Sequence, residues 1–293
     1  SMAIGATMDA QVAYEQFDIM AREISALGFN MDLGPAVDTL LTTWNGNLNT
    51  RTFGPDPELN SALGVAAVTA LQMQLVMAVG KHFPGDGIFA GNTHLEHIYI
   101  DKDKAFLEAH GLKPFRAAVE AGVDGIMTIP AAYTAYDPDR SAITSRAINV
   151  GLLREEIGFQ GLIVTDSLDM AGATIGLKKD ELPGMEALKA GADILLNCDM
   201  PAAHVEELVA RIKKELADGT YPEVEFEEST KRILRMKMKY CLFESPVSPG
   251  PEEVLELALP EDKSLSRSHA DKAIVLLHDN GELPLTGKKV LYV

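Results

Sequence analysis

Three polar clusters carry residue types that can bind and transform a small polar molecule. The first is Lys81-His82-Phe83-Pro84-Gly85-Asp86-Gly87, entered from the apolar run Leu75-Val76-Met77-Ala78-Val79. A strand that ends in a basic pair and a Pro/Gly loop holds polar side chains at the rim of a scaffold, where α/β enzymes place their chemistry. Lys81 and His82 offer donors to a polar ligand, although a snorkelling lysine and a structural histidine would look the same. The second cluster, Asn92-Thr93-His94, supplies an imidazole that exchanges a proton near neutral pH. Alone it equally describes a surface-loop histidine, and His97 stands close by. The third is Asp166, in Ile163-Val164-Thr165-Asp166-Ser167-Leu168-Asp169-Met170. A carboxylate there either points into a site at the strand end or caps the next helix, and taken alone the cap is favoured. Gly85 and Gly87 lack the spacing of a phosphate loop or a dinucleotide fingerprint.

The elements that must hold these groups alternate. The pattern predicts helices over 9–27, 57–74, 102–121, 149–157, 180–190, 201–217 and 225–240, with Pro114 as a break or a helix start. Between them it predicts strands over 29–37, 75–82, 123–129, 161–165 and 192–196. These are short apolar runs without alternation, as expected of parallel strands buried on both faces. Repeated βα units mean a TIM-type barrel or a doubly wound sheet. From 245 to 271 the composition shifts to Pro, Glu and Ser, which predicts a linker or wrapping segment. Beyond it, 272–278 and 288–293 read as two strands around the turn Asp279-Asn280-Gly281.

The 293 residues suffice for one large domain, or one domain and part of another. With 43 acidic and 26 basic residues the net charge is −17, which argues against nucleic acid or an anionic membrane as the main partner. No apolar stretch approaches the roughly 20 residues of a membrane span. Cys198 and Cys241 lack metal-ligand spacing and are expected as buried or half-buried thiols. Neither a metal nor an organic cofactor is implied.

The Lys-His-Phe-Pro-Gly run resembles the signature of glycoside hydrolase family 3, and in particular its β-N-acetylglucosaminidase branch. There it is followed by Asp-Ser-His, whose His is the general acid/base. The resemblance extends over about 2–293 and decides for the TIM-type barrel. It implies that Asp166 is the nucleophile of a retaining glycosidase, ahead of Asp169, and that His94 is the acid/base. It implies that Lys81 and His82 bind sugar hydroxyls. Arg51, in Arg51-Thr52-Phe53-Gly54-Pro55-Asp56-Pro57, resembles an Arg that reaches the sugar, with an ion pair to Asp56 as the plain alternative. Asp38 is expected as a loop stabiliser and Arg146 as structural.

Four departures accompany the resemblance. Asn92 stands where the branch has the Asp that orients and charges the acid/base, so Asn92 becomes its uncharged partner. The expectation is then an imidazole that protonates less readily, or a different partner such as Asp86 or Glu96. Asp86 and Pro130 each stand where a His is usual. Five strands are found where a complete barrel has eight, so the leading strands, with an acidic sugar contact and a Gly-rich loop, are expected to be missing. The expected domains are an incomplete barrel over 1–244, a linker over 245–271, and the beginning of an α/β sandwich domain over 272–293.

The resemblance implies removal of terminal β-N-acetylglucosamine with retained configuration, the partner being a carbohydrate. Rivals are a β-glucosidase or β-xylosidase and a β-N-acetylglucosaminide phosphorylase, since a neutral His tolerates a phosphate anion. Another class is a non-catalytic sugar-binding relative or an inactive fragment. Compartment and oligomeric state are left open.

Overall fold

The computed structural model describes residues 1–43, 45–244, 250 and 257–278. Helices α1 (Met2–Thr7) and α2 (Ala10–Ala26) precede strand β1 (Met31–Asp32). Then come α3 (Pro57–Met73), β2 (Met77–Phe83) and the short β3 (Tyr99–Ile100). A helix runs from α4 (Lys104–Phe106) through a wide π-helical stretch, Leu107–Leu112, into α5 (Lys113–Glu120). Pro114 lies in the first turn of α5, where proline's missing N–H costs least. Strands β4 (Gly125–Thr128) and β5 (Ala132–Tyr133), a π-helical segment (Ala147–Glu156) and β6 (Leu162–Ser167) follow. The chain continues through α6 (Pro183–Lys189), β7 (Ile194–Leu196), α7 (Ala202–Ala217), α8 (Glu223–Lys239) and α9 (Pro260–Lys272).

The five strands read from the sequence form one parallel sheet in the order β1-β2-β4-β6-β7. The helices between them make the crossovers that parallel pairing demands. The sheet is a curled half-barrel, and among the described residues β1 and β7 are its unpaired edges. A second pairing, β3 with β5, escaped the sequence pattern because each strand has only two residues.

Neighbouring strand residues face opposite ways, yet both are apolar. Ala78, Ile126 and Ile163 join the outer core with Phe17 of α2, Leu63 and Leu71 of α3 and Phe115 of α5. Val79, Met127 and Val164 face inward and pack with Met31, Ile194 and, from α8, Ile233 and Met236. Double-sided burial is why these runs do not alternate. Asp56 caps α3 by accepting the Glu58 N–H at 2.9 Å, and Pro57 opens the helix.

At the N-terminal ends of the strands, α8 crosses beneath the sheet. Asp193, just before β7, accepts the Ile163 N–H at 2.9 Å, Arg154 at 2.7 Å, Ser229 at 2.7 Å and Arg232 at 2.9 Å. Its carboxylate is wholly enclosed, and both its oxygens are satisfied. Burial holds the Arg154 guanidinium down to about 10 against the pull of Asp193. Asp124, just before β4, takes Lys239 and the Tyr240 hydroxyl.

Three expectations change. Within 245–271, the described residues include helix α9, docked on α2 where Arg22 meets Asp262 and Gln16 meets Ser266 and His269. Residues 274–278 adopt no regular structure, so 272–278 is not a strand; the turn and 288–293 lie outside the described residues. Cys198 and Cys241 are exposed free thiols, because one sits in the polar loop after β7 and the other in the left-handed turn that ends α8. Among the described residues, no helix is long and apolar enough to cross a membrane.

Asp193→Ala leaves two arginines and a serine without their common acceptor. It is expected to cost about 3–5 kcal/mol in urea unfolding; a loss under about 1 kcal/mol would contradict a structural role for this hub.

Candidate active site

The C-terminal ends of β1, β2 and β6 converge. Strand β2 delivers Lys81 and His82, and the chain then turns at Pro84-Gly85. Gly85 has φ 132°, a conformation that favours glycine, and a Cβ on Gly87 would sit 2.1 Å from the Thr39 carbonyl. Buried Tyr133 of β5 donates its hydroxyl to the Gly85 carbonyl at 2.7 Å and fixes the turn from the other side.

Asp38 organises this corner. Its carboxylate accepts the His82 backbone N–H at 2.9 and 3.0 Å, the His82 ring Nδ1–H at 2.8 Å and the Asp86 N–H at 2.7 Å. The expectation of a loop stabiliser is met in detail. Because Asp38 takes Nδ1–H, the other ring nitrogen of His82, Nε2, is left without a hydrogen-bond partner among the described residues. Burial pulls the His82 pKa down, but Asp38, Asp86 and Asp166 outweigh it and the ring protonates more readily than usual.

Asp86 lies 3.9 Å from the His82 ring, and Asn45 donates to its carboxylate at 3.1 Å. Burial is the main reason its pKa is pushed up to about 6; the nearby Asp38 adds to this, and His82 opposes it. Lys81 is half-buried. Burial and Arg51 pull its pKa down, while Asp166, Asp32 and Asp38 push it back. Asp32, which the sequence did not single out, faces Lys81 from β1, and burial raises its pKa against that lysine's pull.

Asp166 ends β6 half-buried, with one oxygen accepting the Ser167 N–H at 2.8 Å. It caps no helix. Asp169 instead accepts the Ser167 hydroxyl at 2.7 Å and the Cys198 N–H at 3.2 Å. Those bonds hold its pKa down although burial acts the other way.

Arg51 is exposed and donates Nε and Nη2 to the Asn47 carbonyl at 3.0 and 2.8 Å. The expected alternative, an ion pair with Asp56, does not form because Asp56 is spent on the α3 cap. His94 lies on an exposed loop. Ala171 donates its N–H to the His94 carbonyl at 3.2 Å, and Gly172 to that of Thr93 at 3.1 Å, so this loop docks on the one that follows Asp166. Asn92 does not touch the His94 ring; its Oδ1 accepts the His94 backbone N–H at 2.9 Å. Neither Asp86 nor Glu96 replaces it, since Asp86 is enclosed beside His82 and Glu96 accepts the Asn92 N–H at 3.0 Å. Arg146 is structural, forked on Glu225 at 3.0 Å. Among the described residues no group of three or more His, Cys, Asp or Glu is arranged for a metal ion.

Parallel βα topology, with charged groups gathered at the C-terminal ends of the strands, places the chain in the TIM-type barrel class. The family profile "Glycosyl hydrolase family 3 N terminal domain" matches residues 1–236, and the chain belongs to that family. A "Beta-N-acetylglucosaminidase/beta-glucosidase" of Cellulomonas fimi is 30% identical over 302 residues, covering 99% of this chain and 52% of that relative. A family 3 beta-N-acetylglucosaminidase from Paenibacillus sp. str. FPU-7 superposes with TM-score 0.89 and 30% identity, covering 96% of this chain and 53% of that one. A beta-glucoside phosphorylase superposes with TM-score 0.88 and 26% identity, covering 97% and 52%. The chain thus spans about half the length of each.

The raised Asp86 pKa has a consequence for stability. Its folded value of about 6 lies above the unfolded carboxylate value of about 3.9. Between these values the folded state holds the extra proton, so this group's contribution to stability falls as pH rises. Asp86→Asn removes that loss. Its stability relative to the parent is expected to improve steadily from pH 4 to pH 7 in urea titrations; a difference independent of pH would contradict the assignment.

Proposed function

We propose that this chain carries the catalytic face of a retaining glycosidase that releases terminal β-N-acetylglucosamine. The observation that carries it is that Asp166 at the end of β6 shares one rim of the sheet with Lys81 and His82 at the end of β2, one strand apart and within reach of their charge, with the His94 loop docked on the loop that follows Asp166. An Asp166 oxygen attacks the anomeric carbon as the glycosidic C–O bond breaks. The departing oxygen takes its electron pair and a proton from His94. Neutral His94 then takes a proton from water, whose oxygen displaces Asp166 and restores the carboxylate. Lys81, Arg51 and Nε2 of His82 bind sugar hydroxyls. Residues 1–244 form the catalytic domain in this reading, 245–271 its connection, and 272–293 the opening of a second domain.

One observation favours a second reading. The His94 loop holds no carboxylate on the imidazole, since Asn92 stands there and bonds the backbone instead. A phosphate anion meets less repulsion at such a group than beside a carboxylate. The likeness to a beta-glucoside phosphorylase agrees with it. Phosphate then takes the place of water in the second step and the product is a sugar 1-phosphate.

The 293-residue chain is to be assayed on 4-nitrophenyl β-N-acetylglucosaminide and on the glucoside, with and without phosphate, beside Asp166→Ala and His94→Ala. The proposal expects turnover of the N-acetylglucosaminide, with losses of about 10²–10⁴-fold at His94 and at least as much at Asp166. A rate that requires phosphate, with sugar 1-phosphate as product, selects the second reading. Preference for the glucoside overturns the sugar assignment. Binding of N-acetylglucosamine without turnover of any glycoside makes the chain a sugar-binding relative.

A further inference from the structure

Nothing among the described residues hydrogen-bonds the His94 ring, so its position depends on the backbone of its loop. Beside the contact of His97 Nε2 with the Thr174 hydroxyl at 3.1 Å just past it, that loop is held in three ways. Its own turn is closed by Asn92 and Glu96. The loop after Asp166 grips it through the Ala171 and Gly172 N–H groups. The third grip is a side chain: Asn47 donates Nδ2 to the hydroxyl of buried Thr93 at 3.2 Å. Among the described residues, this is the one side-chain hydrogen bond from 92–96 to a residue outside that loop.

Asn47 is itself set rigidly. Its N–H and that of Leu48 both donate to Asn45 Oδ1, at 3.0 and 2.8 Å. Asn45 Nδ2 in turn donates to the Asp86 carbonyl at 3.0 Å, the Asp86 carboxylate at 3.1 Å and the Phe89 carbonyl at 3.3 Å. The Asn47 carbonyl receives the Arg51 guanidinium. Two asparagines, Asn45 and Asn47, therefore join the Arg51 loop, the His82–Asp86 corner and the His94 loop.

We propose that Asn47 is a positioning residue for proton transfer by His94. It acts through Thr93, and it replaces the anchoring that Asn92 gives to the backbone and not to the imidazole. The proposal rests on the assignment of His94 as the acid/base. A displacement of the ring by about 1 Å is enough to cost about 10²-fold in a step that needs it. In kcat/KM, which reports formation of the glycosyl-enzyme, His94 acts only as proton donor, so the cost there falls on leaving groups that need protonation. A good leaving group departs without it.

The test uses Asn47→Ala, Thr93→Val, Thr93→Ser and His94→Ala in the full chain, with aryl β-N-acetylglucosaminides from the phenyl to the 2,4-dinitrophenyl glycoside. Asn47→Ala and Thr93→Val are expected to lower kcat/KM by about 10–100-fold on the phenyl glycoside and by less than about threefold on the dinitrophenyl one. Thr93→Ser keeps the hydroxyl and is expected to restore the parental pattern. Equal losses on both substrates, or no loss at Asn47→Ala, overturn the proposal while His94→Ala keeps its leaving-group dependence. If His94→Ala shows none in an active parent, the acid/base assignment itself fails and the proposal falls with it. Hydrogen exchange reads the loop without turnover. The Ala171 and Gly172 amides are expected to exchange about tenfold faster in Asn47→Ala, with the β2 amides unchanged. Unchanged exchange at Ala171 and Gly172 overturns the proposal even in an inactive chain.

Discussion

The candidate site depends on a single buried carboxylate. Asp38 is fully enclosed, a costly place for a charge unless every lone pair is used. The cost is offset by the two backbone N–H groups of His82 and Asp86 and by the His82 ring N–H. Charge-assisted bonds of this kind are short and strong in a dry interior. The backbone of Asp38 is pinned too, since its carbonyl receives the Asn60 amide at 2.9 Å and the Thr52 hydroxyl. The Asp38 loop, the start of the Arg51 loop and the end of β2 therefore form one rigid corner. Asp38 holds Nδ1 of His82 and leaves Nε2 uncommitted among the described residues.

The two ends of the half-barrel divide the work. At the N-terminal ends of the strands, Asp124 and Asp193 gather arginines, lysine, serine and tyrosine from α8 and its neighbours, and these groups are used up in holding the sheet. At the C-terminal ends charged groups outnumber their direct partners. Lys81 has carboxylates around it, Asp166 keeps an oxygen free of backbone bonds, and the His94 ring is exposed. Ion pairs at the bottom serve stability, and unspent polar groups at the top are available to a ligand.

The fold was legible because the three central strands are buried on both faces and the two edge strands are half-buried, and such runs have a composition that loops do not. Asp166, Lys81 and His82 were legible for a related reason, as polar residues at the ends of those runs. What the sequence hid is mostly long-range. The links of Asn45 and Asn47 join residues about 40 positions apart, and an Asn-rich stretch reads simply as a turn. Asn92 was expected on the imidazole, but an Asn side chain reaches the N–H two residues on, and that local bond wins. Arg51 and Asp56 looked like a pair because they are close in sequence; the helix cap competes for the carboxylate and takes it. Helix α9 is held on α2 by polar contacts, which leave no apolar stripe to detect.

The measurement that tests the account most directly is identification of the covalent intermediate. A fluorinated N-acetylglucosaminyl donor that forms the glycosyl-enzyme quickly and releases it slowly is reacted with the full chain, which is then digested and mapped by mass spectrometry. The account predicts one sugar per chain, on the peptide containing Asp166 and on that carboxylate. A label on Asp169, or turnover of the donor with no trapped ester at any residue, would contradict it.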